Sequence, residues 1–311
     1  MDNFADFIVN YIENKKIHDI QGWLNQLKAY QWKSASGTQR YSDAVFITKD
    51  YWKDSTNILH TPNNDNIWYY HCDKIRKWGG MRTISPDNAR AFKKSVIFLM
   101  QNDLDGNSDL ANCIVCGTRI AMASKIYYFS DPLRWTIYDS RVGYALHQLI
   151  FEYAKDRQIT PESVFPGNSF CLPDSQTDRR NPVYAVGRCY GSEQRSLWSF
   201  LWTSHLHRRI ANKLNMMMSY KPDHFLSDQP QWELPHIEMV FFVIGDKKWV
   251  DDSGKTHSEV IQKQSLVRGD YAGICPRCGH ALKIRQSQIT GELYAGCTNY
   301  PACTYKGSRS H

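Results

Sequence analysis

Two sets of residues in this chain have the types and spacing to do chemistry. One is a group of four thiols near the C-terminal end. Cys275 and Cys278 form a C-x2-C pair, and after eighteen intervening residues come Cys297 and Cys303, with five residues between them. Two thiolate pairs on two turns can close a tetrahedron around Zn²⁺, and four protein ligands leave no open position, so such a site is structural. A module this small depends on its metal to fold. Redox-active or unpaired cysteines fit less well, because both pairs flank the hairpin-like "LKIRQSQITGELYAG". The other set centres on Asp139 in "RWTIYDSRVG", after the apolar run of Trp135, Ile137 and Tyr138. An aspartate directly before an amphipathic helix reads first as an N-cap. Capping and catalysis are compatible, because the cap geometry fixes where the carboxylate points.

The elements that must position these groups are mainly helical. Residues 3–13 place Phe4, Phe7, Ile8, Tyr11 and Ile12 on one helix face. "SPDNARAFKKSVIFLM" starts a helix with Ser85 as cap, Pro86 in the first turn and Asp87 at the positive dipole end. "SDLANCIVCG" predicts a short helix closed by Gly117, and "RIAMASKIYYF" another. Val142, Leu146, Leu149, Ile150 and Tyr153 predict a helix after Asp139. A longer one is expected over roughly 192–218, with Leu197, Leu201, Ile210 and Leu214 inward and Arg208, Arg209 and Lys213 outward. Residues 34–43 and 54–66 read as loops, and alternating strands are scarce outside the C-terminus. The expected organisation is a helical body over 1–250 with two subdomains around a cleft, a polar linker over 251–270, and a small β module over 271–311.

The 311 residues are 42% hydrophobic and 13% aromatic, enough for one large core or two domains. The longest apolar runs, such as "IEMVFFVIG" from Ile237, are too short to cross a bilayer, and no basic stretch followed by an apolar one marks a signal peptide. The expectation is a soluble, cytoplasmic, monomeric protein. Cys72, Cys113, Cys116, Cys171 and Cys189 are scattered, as small reduced hydrophobes would be. A net charge of +7 and a pI near 8.8 suit a polyanionic partner.

The stretch ending "GCTNYPACTY" closely resembles the zinc ribbon appended to bacterial type I topoisomerases, over residues 275–306. The resemblance implies DNA binding, often to single strands. Arg277, Lys283, Arg285, Lys306 and Arg309 oppose only Glu292 in charge, and Tyr294, Tyr300 and Tyr305 could stack on bases. A ribbon that docks a protein is the alternative.

The segment "ASKIYYFSDPLRWTIYDSRVGYAL", residues 123–146, resembles the part of helix–hairpin–helix DNA glycosylases (the 8-oxoguanine-glycosylase-like fold) that carries their catalytic lysine and aspartate. Lys125 matches the lysine and Asp139 the aspartate, and the resemblance extends over residues 67–250. The family's glycine-rich hairpin turn is replaced by Gly117 followed by "TRIAMA". The resemblance implies excision of a damaged or modified base from DNA, with a possible lyase step through Lys125, in repair or in defence against phage DNA with modified bases. A base taken out of the stack needs an aromatic pocket, for which Tyr127, Tyr128, Trp135, Tyr138, Trp198 and Trp202 are candidates, although such spacing more often marks a core. The other readings are a nuclease or restriction-type effector, using Glu238, Asp246 and Lys248 around Mg²⁺, and a DNA-binding adaptor without enzymatic activity. His205, His207, Arg208 and Arg209 read as a solvated face ahead of a phosphate contact. Arg76, Lys77 and Arg82 surround a helix C-cap at Gly79 that could also serve as a phosphate-binding turn.

Overall fold

The computed structural model describes residues 1–34, 37–61, 64–80, 83–102, 120–159, 161–164, 193–246, 271–275, 277–286 and 293–307. The protein is mainly helical. Helix α1 (Asp2–Asn14) leads into a two-stranded turn, β1 (Lys16–Ile17) with β2 (Ile20–Gln21), and then α2 (Trp23–Lys28). Strands β3 (Gln31–Ser34) and β4 (Gly37–Arg40) pair antiparallel, with Trp32 opposite Gln39. Helices α3 (Tyr41–Leu59), α4 (Asp65–Trp78) and α5 (Pro86–Gln101) follow. Then come α6 (Ile120–Ser130), α7 (Ser140–Arg157), α8 (Glu193–Met217) and α9 (Leu234–Asp246). Among the described residues no helix is long and apolar enough to cross a membrane.

Helix starts follow the cap chemistry. Ser85 Oγ accepts from the Asn88 N–H at 3.2 Å, with Pro86 in the first turn of α5. Asp139 caps α7 with one oxygen, which accepts from the Arg141 and Val142 N–H groups at 2.9 and 3.2 Å. α4 ends at Gly79, and Gly80 takes the positive φ of +64° that the chain needs to turn there.

Two expected loops are corrected. Residues 34–43 hold the end of the β3–β4 hairpin and the start of α3, whose Arg40 N–H donates to the Asp43 carboxylate at 2.9 Å. Residues 54–66 are mostly helix: α3 runs to Leu59 and α4 begins at Asp65. The polar side chains there serve the exposed faces of two amphipathic helices that pack on one another, while Ser55 is buried against His71. The expected helix over 108–117, the linker over 251–270, and Cys113, Cys116, Cys171 and Cys189 lie outside the described residues. Cys72 is buried in the core.

The core of the body is aromatic and continuous. α1 lies on α7 and α8, with Phe4 against Tyr153 and Trp202 at ring-centroid distances of 5.2 and 6.2 Å. α9 is buried nearly all round, as its mostly apolar sequence, broken by His236 and Glu238, requires. Its fully buried Ile237, Val240, Phe241 and Ile244 together contribute on the order of 6–12 kcal/mol of transfer free energy, an upper bound. α7 and α9 cross closely at Gly245, where an added Cβ would stand 1.9 Å from the Arg141 carbonyl oxygen. That crossing presses α9 against the start of α7, where Asp139 sits.

His207 corrects another expectation. It is not on a solvated face but fully buried in α8, with Nδ1 3.0 Å from Thr136 Oγ1. Arg209 is exposed and pairs with Asp2, whereas Arg208 is half-buried and donates to the Arg134 carbonyl.

The C-terminal module is a four-stranded antiparallel sheet in the order β5 (Tyr271–Ile274), β6 (Ala281–Gln286), β7 (Leu293–Cys297), β8 (Lys306–Gly307). Its buried described cluster is Cys275, Leu282, Cys297 and Cys303. A cluster with one aliphatic side chain cannot hold a fold by burial alone.

Candidate active site and metal centre

α6 and α7 bring Lys125 and Asp139 together. Lys125 Nζ lies 4.0 Å from Asp139 Oδ2, and both residues are almost fully enclosed, at 2% and 6% exposure. Three features hold the pair. Lys125 Nζ donates to the Ala121 carbonyl one turn back, at 3.1 Å. Ser124 Oγ accepts from the Tyr138 N–H at 3.0 Å, tying α6 to the segment before Asp139. Gly79 leaves room for the lysine stem, since a Cβ there would stand 2.9 Å from Lys125 Cδ.

Asp139 divides its two oxygens between two tasks. Oδ1 takes both backbone N–H groups of the cap, while Oδ2 faces Lys125 Nζ and Arg141 Nη1, each at 4.0 Å. Arg141 is held in turn by Asp246, Nε to Oδ1 at 2.6 Å, and its guanidinium lies over the rings of Phe242 (4.4 Å) and Trp32 (5.5 Å). Trp32 also stands beneath Lys125 Nζ, at 5.9 Å. Burial lowers the Lys125 pKa, with Asp139 and Glu238 opposing. Glu238 of α9 is likewise buried, and its pKa is pushed well above the ordinary carboxylate range, first by burial and then by the Asp139 charge.

The aromatic residues singled out from sequence whose side chains are described, Tyr127, Tyr128, Trp135, Tyr138 and Trp202, belong to the core, with Tyr128 near Glu238. The Trp198 side chain lies outside the described residues. The aromatics next to Lys125 and Arg141 are instead Trp32 and Phe242, with Trp78 stacked on Trp32 at 5.2 Å. Trp32 belongs to the β3–β4 hairpin, whose second strand lies in a stretch that reads as loop. Of Glu238, Asp246 and Lys248, the residues a nuclease would use, two are described. Asp246 is engaged by Arg141, Glu238 is buried beside Lys125, and Lys248 lies outside the described residues. The sequence signal for Glu238 is one acid inside the otherwise apolar "IEMVFFVIG". Arg76 is paired with Asp73 on α4, and Gly79 is the C-cap; Arg82 lies outside the described residues.

In the β module the four cysteine sulfurs lie within 4.8 Å of one another. Cys275 and Cys303 are 3.5 Å apart, and Cys278 and Cys297 3.3 Å. A disulfide would require about 2.05 Å, whereas four sulfurs about 2.3 Å from a tetrahedral Zn²⁺ stand about 3.8 Å from each other. The thiol set and its compactness therefore fit Zn²⁺.

Strand register sorts the remaining candidates by face. Lys283 is opposite Gly296 and Arg285 opposite Tyr294, and Gly296 is also opposite Lys306. Directly opposed residues share a face, so Lys283, Arg285, Tyr294 and Lys306 line one side of the sheet. Leu282 and Cys297 share the other side, toward the cysteine cluster. The Arg285 stem crosses Gly296, and Lys306 Nζ lies 5.3 Å from the Tyr294 ring. Tyr305 packs on the cysteine cluster with Arg277 6.0 Å from its ring, and Tyr300 stands in a turn at 63% exposure. Arg309 lies outside the described residues.

Comparison with known proteins bears on this module. Residues 272–309 match the family of the topoisomerase DNA binding C4 zinc finger. A DNA topoisomerase 1 of Archaeoglobus fulgidus is 40% identical over 43 residues, which is 14% of this chain and only 6% of that protein. No solved structure matches the chain. Residues 272–309 are a topoisomerase-type C4 zinc ribbon, and Cys275, Cys278, Cys297 and Cys303 are its ligands for a structural Zn²⁺.

Proposed function

We propose that the protein is a DNA glycosylase whose helical body, of the helix–hairpin–helix glycosylase type, cleaves the N-glycosidic bond of a damaged or modified base. In this reading the zinc ribbon adds affinity for DNA. The observation that carries it is the buried Lys125–Asp139 pair, with the aspartate aimed by its own helix cap.

Breaking an N-glycosidic bond builds positive charge on the sugar. Asp139 Oδ2 is an anionic oxygen fixed in a dry setting, which stabilises such charge far better than water does. The Lys125 amine, kept less basic by burial, can form a bond to the anomeric carbon as the glycosidic electron pair departs with the base. Opening of the sugar ring then yields a Schiff base and a route to strand cleavage. Trp32 and Gly79 cover the lysine, so the target nucleotide must leave the stack and displace local cover to reach it. On the ribbon, Lys283, Arg285 and Lys306 face phosphates while Tyr294 offers a stacking surface. Removal of modified bases from phage DNA is the biological setting we favour.

The test is to incubate the protein with genomic DNAs that differ in base modification and to measure released base by mass spectrometry. Release should survive brief chelation. Asp139→Asn keeps the cap but removes the charge, so release should fall by ~10² or more while the melting temperature hardly moves, since Asn caps about as well as Asp. Native-like release from folded Asp139→Asn would reduce Asp139 to a cap and end the glycosylase reading. Strand cleavage abolished by chelation would point to the nuclease instead, and no change in any DNA tested would favour an adaptor.

A further inference from the structure

α9 carries one acid in its buried apolar stretch, and that acid is placed against the Lys125–Asp139 pair. Glu238, Phe242 and Gly245 fall four and then three residues apart, on one helix face. Phe242 lies 4.4 Å from the Arg141 guanidinium and 5.1 Å from the Trp32 ring, and Gly245 touches the Arg141 backbone. The face bearing Glu238 therefore lies on the start of α7. The titratable or charged groups around Glu238 are Lys125 and Tyr128 of α6, Asp139 and Arg141 at the start of α7, and Tyr30 after α2.

Charge balance in this enclosure is tight. Arg141 is matched by Asp246 at 2.6 Å, and Asp139 is held by two backbone N–H groups with Lys125 and Arg141 at 4.0 Å. An ionised Glu238 would add a second buried anion beside Asp139, and like charges in a shared site cannot both ionise freely. We propose that Glu238 is the proton-holding residue of this site: a neutral carboxylic acid beside a neutral Lys125 amine, leaving Asp139 as the ionised carboxylate. The balance is a single proton transfer, in which Lys–NH₃⁺ and Glu–COO⁻ become Lys–NH₂ and Glu–COOH. Burial disfavours the separated charges on the left and favours the neutral pair on the right, and both groups shift in the matching direction, the lysine down and the glutamate up. The two carboxylates thereby divide their roles. Asp139 supplies the charge, and Glu238 keeps the nucleophile unprotonated without adding charge. As a role in base removal this rests on the glycosylase reading; the position of the proton does not.

Infrared spectroscopy of the full chain at neutral pH tests it without any substrate. The C=O stretch of a neutral carboxylic acid should be present in the native protein, lost in Glu238→Gln and kept in Asp139→Asn. Subtracting the Glu238→Gln spectrum also removes the contribution of Asp131, another carboxyl that burial raises. Identical native and Glu238→Gln spectra, or loss of the band in Asp139→Asn instead, would overturn the proposal. Stability supplies a second measurement. The unfolded chain gives up the Glu238 proton above about 4.5 while the folded chain keeps it, so the Glu238 share of native stability falls as pH rises through that range. Lys125 and the buried histidines contribute in the opposite sense, and comparison with Glu238→Gln isolates the Glu238 share. Glu238→Gln, which has no proton to lose, should gain melting temperature over the native chain as pH rises from about 5 to 8. A difference that stays flat with pH, or a Glu238→Gln chain that loses stability as pH rises, would also overturn it. A band that behaves as expected in a protein releasing no base from any DNA leaves the proton where it is placed and removes the glycosylase.

Discussion

The helical body and the zinc ribbon solve the same problem, holding polar groups in a dry place, by opposite means. In the ribbon, the described buried cluster is three cysteines and a leucine, and the metal supplies the missing cohesion. In the body, Lys125, Asp139 and Glu238 are enclosed by a large aromatic core, and that core offsets the cost of burying ionisable groups that would otherwise oppose folding. A metal site can be built from local sequence because coordination bonds are strong and short-ranged. A buried charge cluster needs hydrophobic burial elsewhere in the fold to offset its desolvation.

This contrast can be broken most decisively by removing the metal. Chelation, or Cys297→Ser with Cys303→Ser, should unfold the ribbon, because structural Zn²⁺ contributes about 10–16 kcal/mol of binding free energy that is also folding free energy. The helical circular dichroism of the body should remain. Elemental analysis should give about one Zn²⁺ per native chain and none in the double variant. Coupled melting of both parts would show that the ribbon is part of one cooperative unit.

The next largest effect belongs to the body. Gly245→Ala would put a methyl group 1.9 Å from the Arg141 carbonyl oxygen, so α7 and α9 must part. Overpacking of this kind typically costs about 1–3 kcal/mol or more, read as a lower melting temperature without change in the ribbon's zinc content. A silent Gly245→Ala would mean that the close crossing does not hold the start of α7.

Acid should also separate the two regions. Burial depresses His207 to about 3, and His71 and His236 to about 4, from an ordinary 6.5. Each is neutral in the folded chain, whereas the unfolded chain takes up a proton below 6.5. Their contribution is therefore present above that pH and is lost as pH falls towards about 4. The melting temperature of a ribbon-deleted chain should fall across this window, and His207→Phe should flatten part of the fall.

The smallest effect is electrostatic. Deleting residues 271–311 should lower the salt dependence of DNA affinity, by about 0.7 in log–log slope for each single-strand phosphate that the ribbon neutralises. An unchanged slope would mean that the ribbon docks a protein.

How much of this is legible in the sequence varies by element for a physical reason. The Ser85 and Asp139 caps, the helices over 86–101, 140–157 and 193–217, and the four zinc ligands are all written in short-range spacing. Helical periodicity, capping and C-x2-C geometry need only a few neighbouring residues, so the sequence alone determined them. The α3–α4 pair is hidden because its polar run, which reads as loop, is the solvent side of two packed helices. The β3–β4 hairpin is hidden because its strand signal is only four residues long on each side.

What only tertiary structure decided is who stands beside Lys125. Trp32, Arg141 and Glu238 come from three elements separated by as many as 206 residues of chain, and nothing local in any of them names the others. The crossing of α7 and α9 at Gly245 decides it, because a missing Cβ lets two backbones meet and so sets one acid of an apolar helix against a lysine and an aspartate. Likewise the ribbon's basic residues are plain in sequence, but only the register of β6, β7 and β8 puts Lys283, Arg285, Tyr294 and Lys306 on one face. Spacing along the chain fixes which residues can bind a metal or cap a helix; long-range packing, which no short stretch encodes, fixes which charges must share a proton.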